Sequence, residues 1–345
     1  MSTLLQQLLM ENPSETLWIA DENSKSLLFS GFSYSGDLLT NRWDIARLAE
    51  GKVRHSFFND FRLDETERHY RRIVYPVSKE KAVVHHVINE CHRALGLGGE
   101  LALLGGKQSG IKTYAAKTAS CFGSSKQLEK HGSEYLSLNI LHSPLSAENR
   151  LDEDNYPELR ALEKIDGLCS KPGLFGWNKV DTGSALLAGT FDEHKPTDGA
   201  SVVDLGCGYG YLSTELAKCG DFHFTATDNN AAALIACREN FKRRDLRGTV
   251  VPSDAGAELG DGIADLVICN PPFHQGFQME GDLTSRFLSN AARLLRRSGR
   301  ALFVVNEFIP LGKKSLHYFS SAKLLLRDKG FCVYRLDGPL DGTAK

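Results

Sequence analysis

Asn270-Pro271-Pro272-Phe273 closes the apolar run Ala264-Asp265-Leu266-Val267-Ile268-Cys269. An amide, two rigid prolines and an aromatic ring at a strand terminus suit one chemical task. They can hold a planar nitrogen-bearing group and accept hydrogen bonds from its amino hydrogens. Each proline fixes φ and lacks an N–H, and Asn270 and Pro271 are each biased to extended geometry by the proline that follows. The carbonyls of this corner are therefore kept out of a helix and can face a ligand. Asn270 adds a side-chain carbonyl acceptor, and Phe273 adds a stacking face. Asn-Pro-Pro also serves as a plain strand-ending turn, so the stretch beginning at Asp204 has to separate the two readings.

Ser201-Val202-Val203-Asp204-Leu205-Gly206-Cys207-Gly208-Tyr209-Gly210 reads as a short buried strand entering a glycine loop, and Leu212, Leu216 and Ala217 then take up helical spacing. Strand, glycine turn and helix start form a general nucleotide-binding element, because glycine lets a ligand approach the backbone closely. The spacing is G-x-G-x-G and lacks the third glycine of the dinucleotide fingerprint. Asp204 ahead of the loop repels a pyrophosphate, whereas a sulfonium ligand with an amino-acid head supplies donors and positive charge. Asp228 closes the run Phe222-His223-Phe224-Thr225-Ala226-Thr227, and an acid at a strand end about 20 residues past the glycines suits ribose hydroxyls. That spacing alone does not separate NAD from S-adenosylmethionine. Asp254, after Thr249-Val250-Val251-Pro252, reads either as a group reaching an adenine amino group or as a solvated turn residue.

The order of D-x-G-x-G-x-G, two strand-terminal acids and N-P-P-F is similar to S-adenosylmethionine-dependent methyltransferases that modify exocyclic amino nitrogens. More narrowly, Gly173 to about Leu336 resembles bacterial ribosomal RNA guanine-N2 methyltransferases of the RsmC kind. Gly173-Leu174-Phe175, Asp181-Thr182-Gly183-Ser184, Asn270-Pro271-Pro272-Phe273-His274, Val304-Val305-Asn306 and Phe331-Cys332-Val333-Tyr334-Arg335 carry the likeness. One departure is Gly176-Trp177-Asn178-Lys179, where the family usually has a Ser-Arg-Asp-Gly-like run. The resemblance implies methyl transfer to guanine N2 in 16S ribosomal RNA, with the RNA or the assembled 30S particle as partner. It implies that Asn270, Pro271 and Phe273 hold the base, with Asp204, Gly206, Gly208, Asp228, Asp254 and Asn270 around the cofactor. His274 and Asn306 are second-row candidates. A large-subunit guanine, adenine N6 and a protein glutamine present similar amino groups and stay open as alternatives. So do an RNA-binding assembly factor with a vestigial site and an NAD-dependent dehydrogenase. The dehydrogenase leaves the diproline corner unexplained.

These residues need a scaffold. The 345 residues, 41% of them hydrophobic, are enough for two compact domains. We expect a degenerate methyltransferase-like domain over 1–160 and a catalytic domain over 161–345. The expected fold is α/β, two tandem Rossmann-like folds, the second a seven-stranded doubly wound sheet. In the first half, Thr16–Ala20, Arg72–Tyr75 and Glu100–Leu104 read as strands, and Lys81–Leu95 and Ile111–Phe122 as helices. Gly105-Gly106-Lys107-Gln108-Ser109-Gly110 lacks P-loop spacing, and no N-P-P corner is present there. The family's first half is similarly a duplicated fold without a cofactor site, with Tyr75-Pro76 near the place of the lost motif. We expect it to support folding of the second half and to grip RNA.

A net charge of −2 argues against a protein that coats nucleic acid non-specifically. Local basic candidates are Arg68-His69-Tyr70-Arg71-Arg72, Lys242-Arg243-Arg244 with Arg247, and Arg293, Arg296, Arg297 and Arg300. The eight cysteines form no C-x-x-C pair, so neither zinc nor a disulfide framework is expected. Cys207 and Cys269 read as small buried residues. No bilayer-spanning apolar run or signal-peptide pattern is present, and a cytoplasmic monomer without metal is expected.

Overall fold

The structure, a computed structural model, describes residues 3–21, 24–272 and 277–340. The chain divides into two compact units, Met1–Glu158 and Leu159–Lys345. In the first unit the strands are β1 (Thr16–Ala20), β2 (Tyr34–Thr40), β3 (Val53–Phe58), β4 (Tyr70–Pro76), β5 (Leu95–Gly106), β6 (Glu129–His131) and β7 (Glu134–Ile140). They form one sheet in the order β3-β2-β1-β4-β5-β7-β6. Pairing is parallel from β3 through β5, and β7 then runs antiparallel to both β5 and β6.

Alternation along the strands makes this sheet doubly wound, because successive side chains point to opposite faces. Leu17, Ile19, Ile73 and Tyr75 pack one face with the helices Lys81–Ala94 and Ile111–Phe122. Trp18, Ala20, Leu38 and Val74 pack the other with Thr3–Glu11, Lys25–Phe29 and Trp43–Ala49.

The second unit begins with a short hairpin, β8 (Arg160–Leu162) and β9 (Leu168–Ser170). Its main strands are β10 (Ser201–Leu205), β11 (His223–Asp228), β12 (Gly248–Pro252), β13 (Ala264–Cys269), β14 (Leu295–Asn306), β15 (Phe319–Asp328) and β16 (Phe331–Pro339). Their order, β12-β11-β10-β13-β14-β16-β15, repeats that of the first unit. Val203, Leu205, Val267 and Phe303 pack against the helix Phe277–Leu294. Val202, Ala226, Leu266 and Val304 pack on the other face, against the helices Thr182–Ala188, Tyr211–Ala217 and Ala231–Arg243.

The strand order reverses at β10, which lies between β11 and β13. Ligands of such sheets bind in the crevice beyond the carboxyl ends of the strands at this reversal. The turn after β10 and the corner after β13 stand there side by side. The sequence suggests six strands between Val202 and Asn306; five are found among the described residues, and the sheet is completed by β15 and β16. Strand β15 sits at the sheet edge with Ser320, Ser321, Lys323 and Arg327 exposed, which hides its pattern.

Candidate active site

The glycine turn is fixed by its own backbone. The N–H groups of Gly206 and Cys207 both donate to the Thr227 carbonyl, at 2.9 and 2.8 Å, and Gly210 donates to the Cys207 carbonyl at 2.8 Å. At Gly210, φ is 86° and a Cβ would lie 2.9 Å from the Cys237 sulfur, so both strain and packing demand glycine. Gly208, at φ 55°, faces open space, the side on which a ligand can approach the backbone.

Asp204 lies beneath this turn, fully buried. Its Oδ2 accepts from the Ser213 N–H at 3.1 Å and the Ser213 hydroxyl at 2.6 Å. Its Oδ1 is buried and has no hydrogen-bond partner among the described residues. Burial pushes the Asp204 carboxyl up to about 7, against the two Ser213 bonds and with a smaller push from the Asp228 charge. A buried acceptor that lacks a donor and resists ionisation fits a ligand bringing a cationic ammonium group.

Asp228 ends β11 half-buried and joins the turn to the next helix. Oδ2 accepts the Gly208 N–H at 2.9 Å and Oδ1 the Asn230 N–H at 2.8 Å. Asn230 in turn caps the helix Ala231–Arg243 through the Ala232 N–H at 2.9 Å. Asp254 is engaged differently: its carboxylate pairs with Arg286 at 2.6 Å, and its own N–H donates to Glu258 at 3.0 Å.

The Asn270 corner is held by the start of a helix that the sequence places at Gly183 to Thr190 and the structure at Thr182–Ala188. The amide nitrogen of Asn270 donates to Asp181 Oδ2 at 2.9 Å and to the Ser184 hydroxyl at 2.8 Å. Asp181 is the N-cap of the helix Thr182–Ala188 and also accepts the Ser184 N–H at 2.9 Å. A carboxylate only accepts, so the end of the amide facing Asp181 must be the nitrogen, and Oδ1 turns away from the cap. Pro271 is buried and Pro272 exposed. Phe273 and His274 lie outside the described residues. Asn306, at the end of neighbouring β14, accepts from the Phe308 N–H at 3.2 Å and so shapes a turn.

The basic clusters are largely neutralised locally. Arg68 pairs with Asp37, Arg71 with Glu15, and Arg72 with Glu11 and Glu100. Arg243, Arg244 and Arg247 face Glu239, Asp166 and Asp221, while Arg293 and Arg296 face Asp261 and Asp265. Phe308, 80% exposed just beyond β14, was missed in the sequence because a lone aromatic in a loop carries no pattern. In the departing loop, the Trp177 ring meets the Arg160 guanidinium at 5.0 Å.

Cys207, Cys237 and Cys269 are buried, and burial holds all three thiols above their usual range, so they are not thiolate nucleophiles at neutral pH. Among the described residues no group of three His, Cys, Asp or Glu side chains could hold a metal, and no helix is long and apolar enough to cross a membrane.

Residues 167–335 match the methyltransferase small domain family. With the doubly wound sheet and the glycine turn, this defines an S-adenosylmethionine-dependent methyltransferase. Proteins named ribosomal RNA small subunit methyltransferase C are similar over most of the chain. That of Erwinia tasmaniensis is 28% identical over 296 residues, 86% of this chain and 83% of its own length. That of Shewanella loihica is 26% identical over 274 residues, 76% and 75% of the two chains. A solved T. thermophilus 16S rRNA N2 methyltransferase, in complex with AdoMet and guanosine, matches 97% of this chain and 91% of its own with a TM-score of 0.79. At 22% identity, that likeness speaks to the fold. The chain is thus similar over most of its length to ribosomal RNA small subunit methyltransferase C proteins.

Proposed function

We propose that this protein transfers a methyl group from S-adenosylmethionine to the exocyclic N2 of a guanine in the 16S RNA of the small ribosomal subunit. The observation that carries the reading is the Asn270 amide, held by Asp181 and Ser184 at the end of β13, beside the glycine turn after β10. The named relatives and the guanosine bound in the T. thermophilus enzyme support the choice of base.

When bound, the cofactor supplies an electrophilic methyl group on a sulfonium. The unpartnered Asp204 oxygen suits its ammonium end, Asp228 its ribose, and the open side of Gly208 its close approach to the backbone. Asp254 reaches an adenine amino group only by sharing its carboxylate with Arg286.

The guanine amino group is a poor nucleophile because its lone pair is delocalised into the ring. Asn270 Oδ1 and the Pro271 carbonyl accept its two hydrogens. These bonds improve as the nitrogen pyramidalises, so they favour the transition state over the ground state. Phe273, outside the described residues, is the aromatic that the sequence offers for stacking on the base. The protonated product amine is acidic enough to lose its proton to water, so no strong base is required. A helical guanine must be flipped out or met while unpaired, and exposed Phe308 offers a stacking face for such a base. The first unit supports folding of the second and contributes to RNA recognition through surface other than the neutralised Arg68–Arg72 segment.

The test is transfer of labelled methyl to assembled small subunits, naked 16S RNA, large subunits, DNA and release factor, followed by nucleoside analysis. Label in small-subunit RNA as N2-methylguanosine is expected. Label in adenine, in large-subunit RNA or in protein would overturn the assignment.

A further inference from the structure

We infer that Asp181 is a positioning residue that fixes which end of the Asn270 amide is presented for catalysis, with Ser184 as its second contact. The inference rests on the reading that Asn270 accepts from the substrate amine. A terminal amide is nearly symmetric in shape, and its two orientations differ in function: oxygen toward the amine accepts a hydrogen, whereas nitrogen toward it repels one. Nothing in Asn270 itself chooses between them.

Asp181 makes the choice. Its Oδ2 lies 2.9 Å from Asn270 Nδ2, and as an acceptor-only group it would repel the amide oxygen in the flipped state. The Ser184 hydroxyl, 2.8 Å from the same nitrogen, takes the second amide hydrogen. Both partners are set by the start of one helix, where Asp181 caps the Ser184 N–H at 2.9 Å. Gly183 between them leaves no room for a side chain, since a Cβ there would stand 2.9 Å from the Phe331 ring and 3.1 Å from Asp181 Oδ2. The helix start is thus shaped around a carboxylate that serves the backbone and the distant amide together.

A donor–acceptor exchange tests this on the full chain with small-subunit RNA as substrate. Asp181→Asn keeps a capping side chain of the same shape but lets either end of Asn270 face it. The kcat is expected to fall about 10- to 100-fold, as for loss of one oriented transition-state hydrogen bond, while S-adenosylmethionine affinity and Tm stay near wild type. Asn270→Asp sets two carboxylates against each other and should be less active still. Combining the two restores a donor at 181 and an acceptor at 270, leaving the second carboxylate oxygen for the amine. The double variant should exceed Asn270→Asp alone by about tenfold or more, a non-additivity that a merely structural role does not produce. Ser184→Ala, which keeps Asp181, should lose less than Asp181→Asn.

Wild-type kcat in Asp181→Asn, or no recovery in the double variant, would overturn the inference. If Asp181→Asn fails to fold, the double variant against Asn270→Asp still decides the matter, and failure of that pair to recover counts against the proposal. A wild-type enzyme inactive on small-subunit RNA would instead indict the functional reading on which it rests.

Discussion

In the first unit Trp18 of β1 pairs with Leu38 on one side and Val74 on the other; in the second, Asp204 of β10 pairs with Ala226 and Ile268. The same register continues across both sheets. Thr40 opposite Phe58 corresponds to Asp228 opposite Pro252, and both residues accept from the N–H two positions on, at 3.1 Å for Arg42 and 2.8 Å for Asn230. Tyr75 opposite Leu103 corresponds to Cys269 opposite Phe303, which puts Pro76 in the place of Asn270. Strand order and the register at the carboxyl ends are thus repeated while the polar strand ends are not. A buried indole replaces the buried acid, a hydroxyl replaces the Asp228 carboxylate, and a proline replaces the amide. Strand pairing and alternation maintain the sheet without any of these groups.

One acid survives in both. Asp60 lies two residues past Phe58 as Asp254 lies two past Pro252, and the residue after each has positive φ, 54° at Phe61 and 53° at Ala255. In the second unit Asp254 meets Arg286. In the first, Asp60 accepts from the Tyr156 hydroxyl at 2.6 Å, and the Tyr156 ring lies 4.7 Å from His86, which stands as far ahead of Leu95 as Arg286 stands ahead of Leu295. Tyr156 comes from the acidic segment that ends the first unit and is fully buried. The place where the second unit has an open ion pair is filled, in the first, by the chain itself.

The comparison breaks if that filling does not matter. Tyr156→Ala removes a fully buried ring, and about 3–5 kcal/mol of stability should be lost from the first unit. Amide exchange in the helix Lys81–Ala94 would report it, and unchanged protection there would mean the segment merely rests on the surface. Asn270→Ala tests the opposite unit. Turnover should fall by about two orders of magnitude or more with S-adenosylmethionine affinity retained, measured by single-turnover methylation and calorimetry. Near-normal turnover would put Asn270 on the same footing as Pro76.

How far these differences could be read in advance depends on their range along the chain. β10, β13 and the helix Ile111–Phe122 were legible because apolar periodicity and glycine or proline punctuation are local signals. Strands β2 and β3 were not, since Gly36, Arg54, His55 and Ser56 interrupt their apolar pattern. The acids at strand ends were visible as types at the right spacing. Their partners were not: Asp181 and Asn270 are 89 residues apart, and Tyr156 and Asp60 are 96 apart, separations at which only the fold brings side chains together.

Asp228→Ala sharpens the contrast with Thr40. It removes the acceptor of the Gly208 N–H along with the proposed ribose contact. S-adenosylmethionine affinity should weaken about 10- to 100-fold, the loss of one or two hydrogen bonds to a charged group. Turnover at saturating cofactor should change little. Unchanged affinity by calorimetry would detach Asp228 from the ribose. Asp228→Thr, which copies the first unit, should fall between wild type and Ala.

The smallest effect is also the most specific to the second unit, because Trp18 has nothing to titrate where Asp204 does. The Asp204 carboxyl sits at about 7 in the folded protein, above the ordinary carboxylate range. Below its unfolded value the group is protonated in both states, and between that value and about 7 only the folded state holds the proton. Its contribution to stability without ligand is therefore lost as pH rises through this window. A bound ammonium reverses the preference by favouring the carboxylate, so cofactor binding should release a proton below pH 7. Affinity should strengthen as pH rises toward 7, by no more than about tenfold per unit, and level off above it. Calorimetry in buffers of different ionisation enthalpy reads the proton directly, and Asp204→Asn should abolish its release. Proton release that persists in that variant would move the titration to another group and leave Asp204 as a structural support of the helix Tyr211–Ala217 through Ser213.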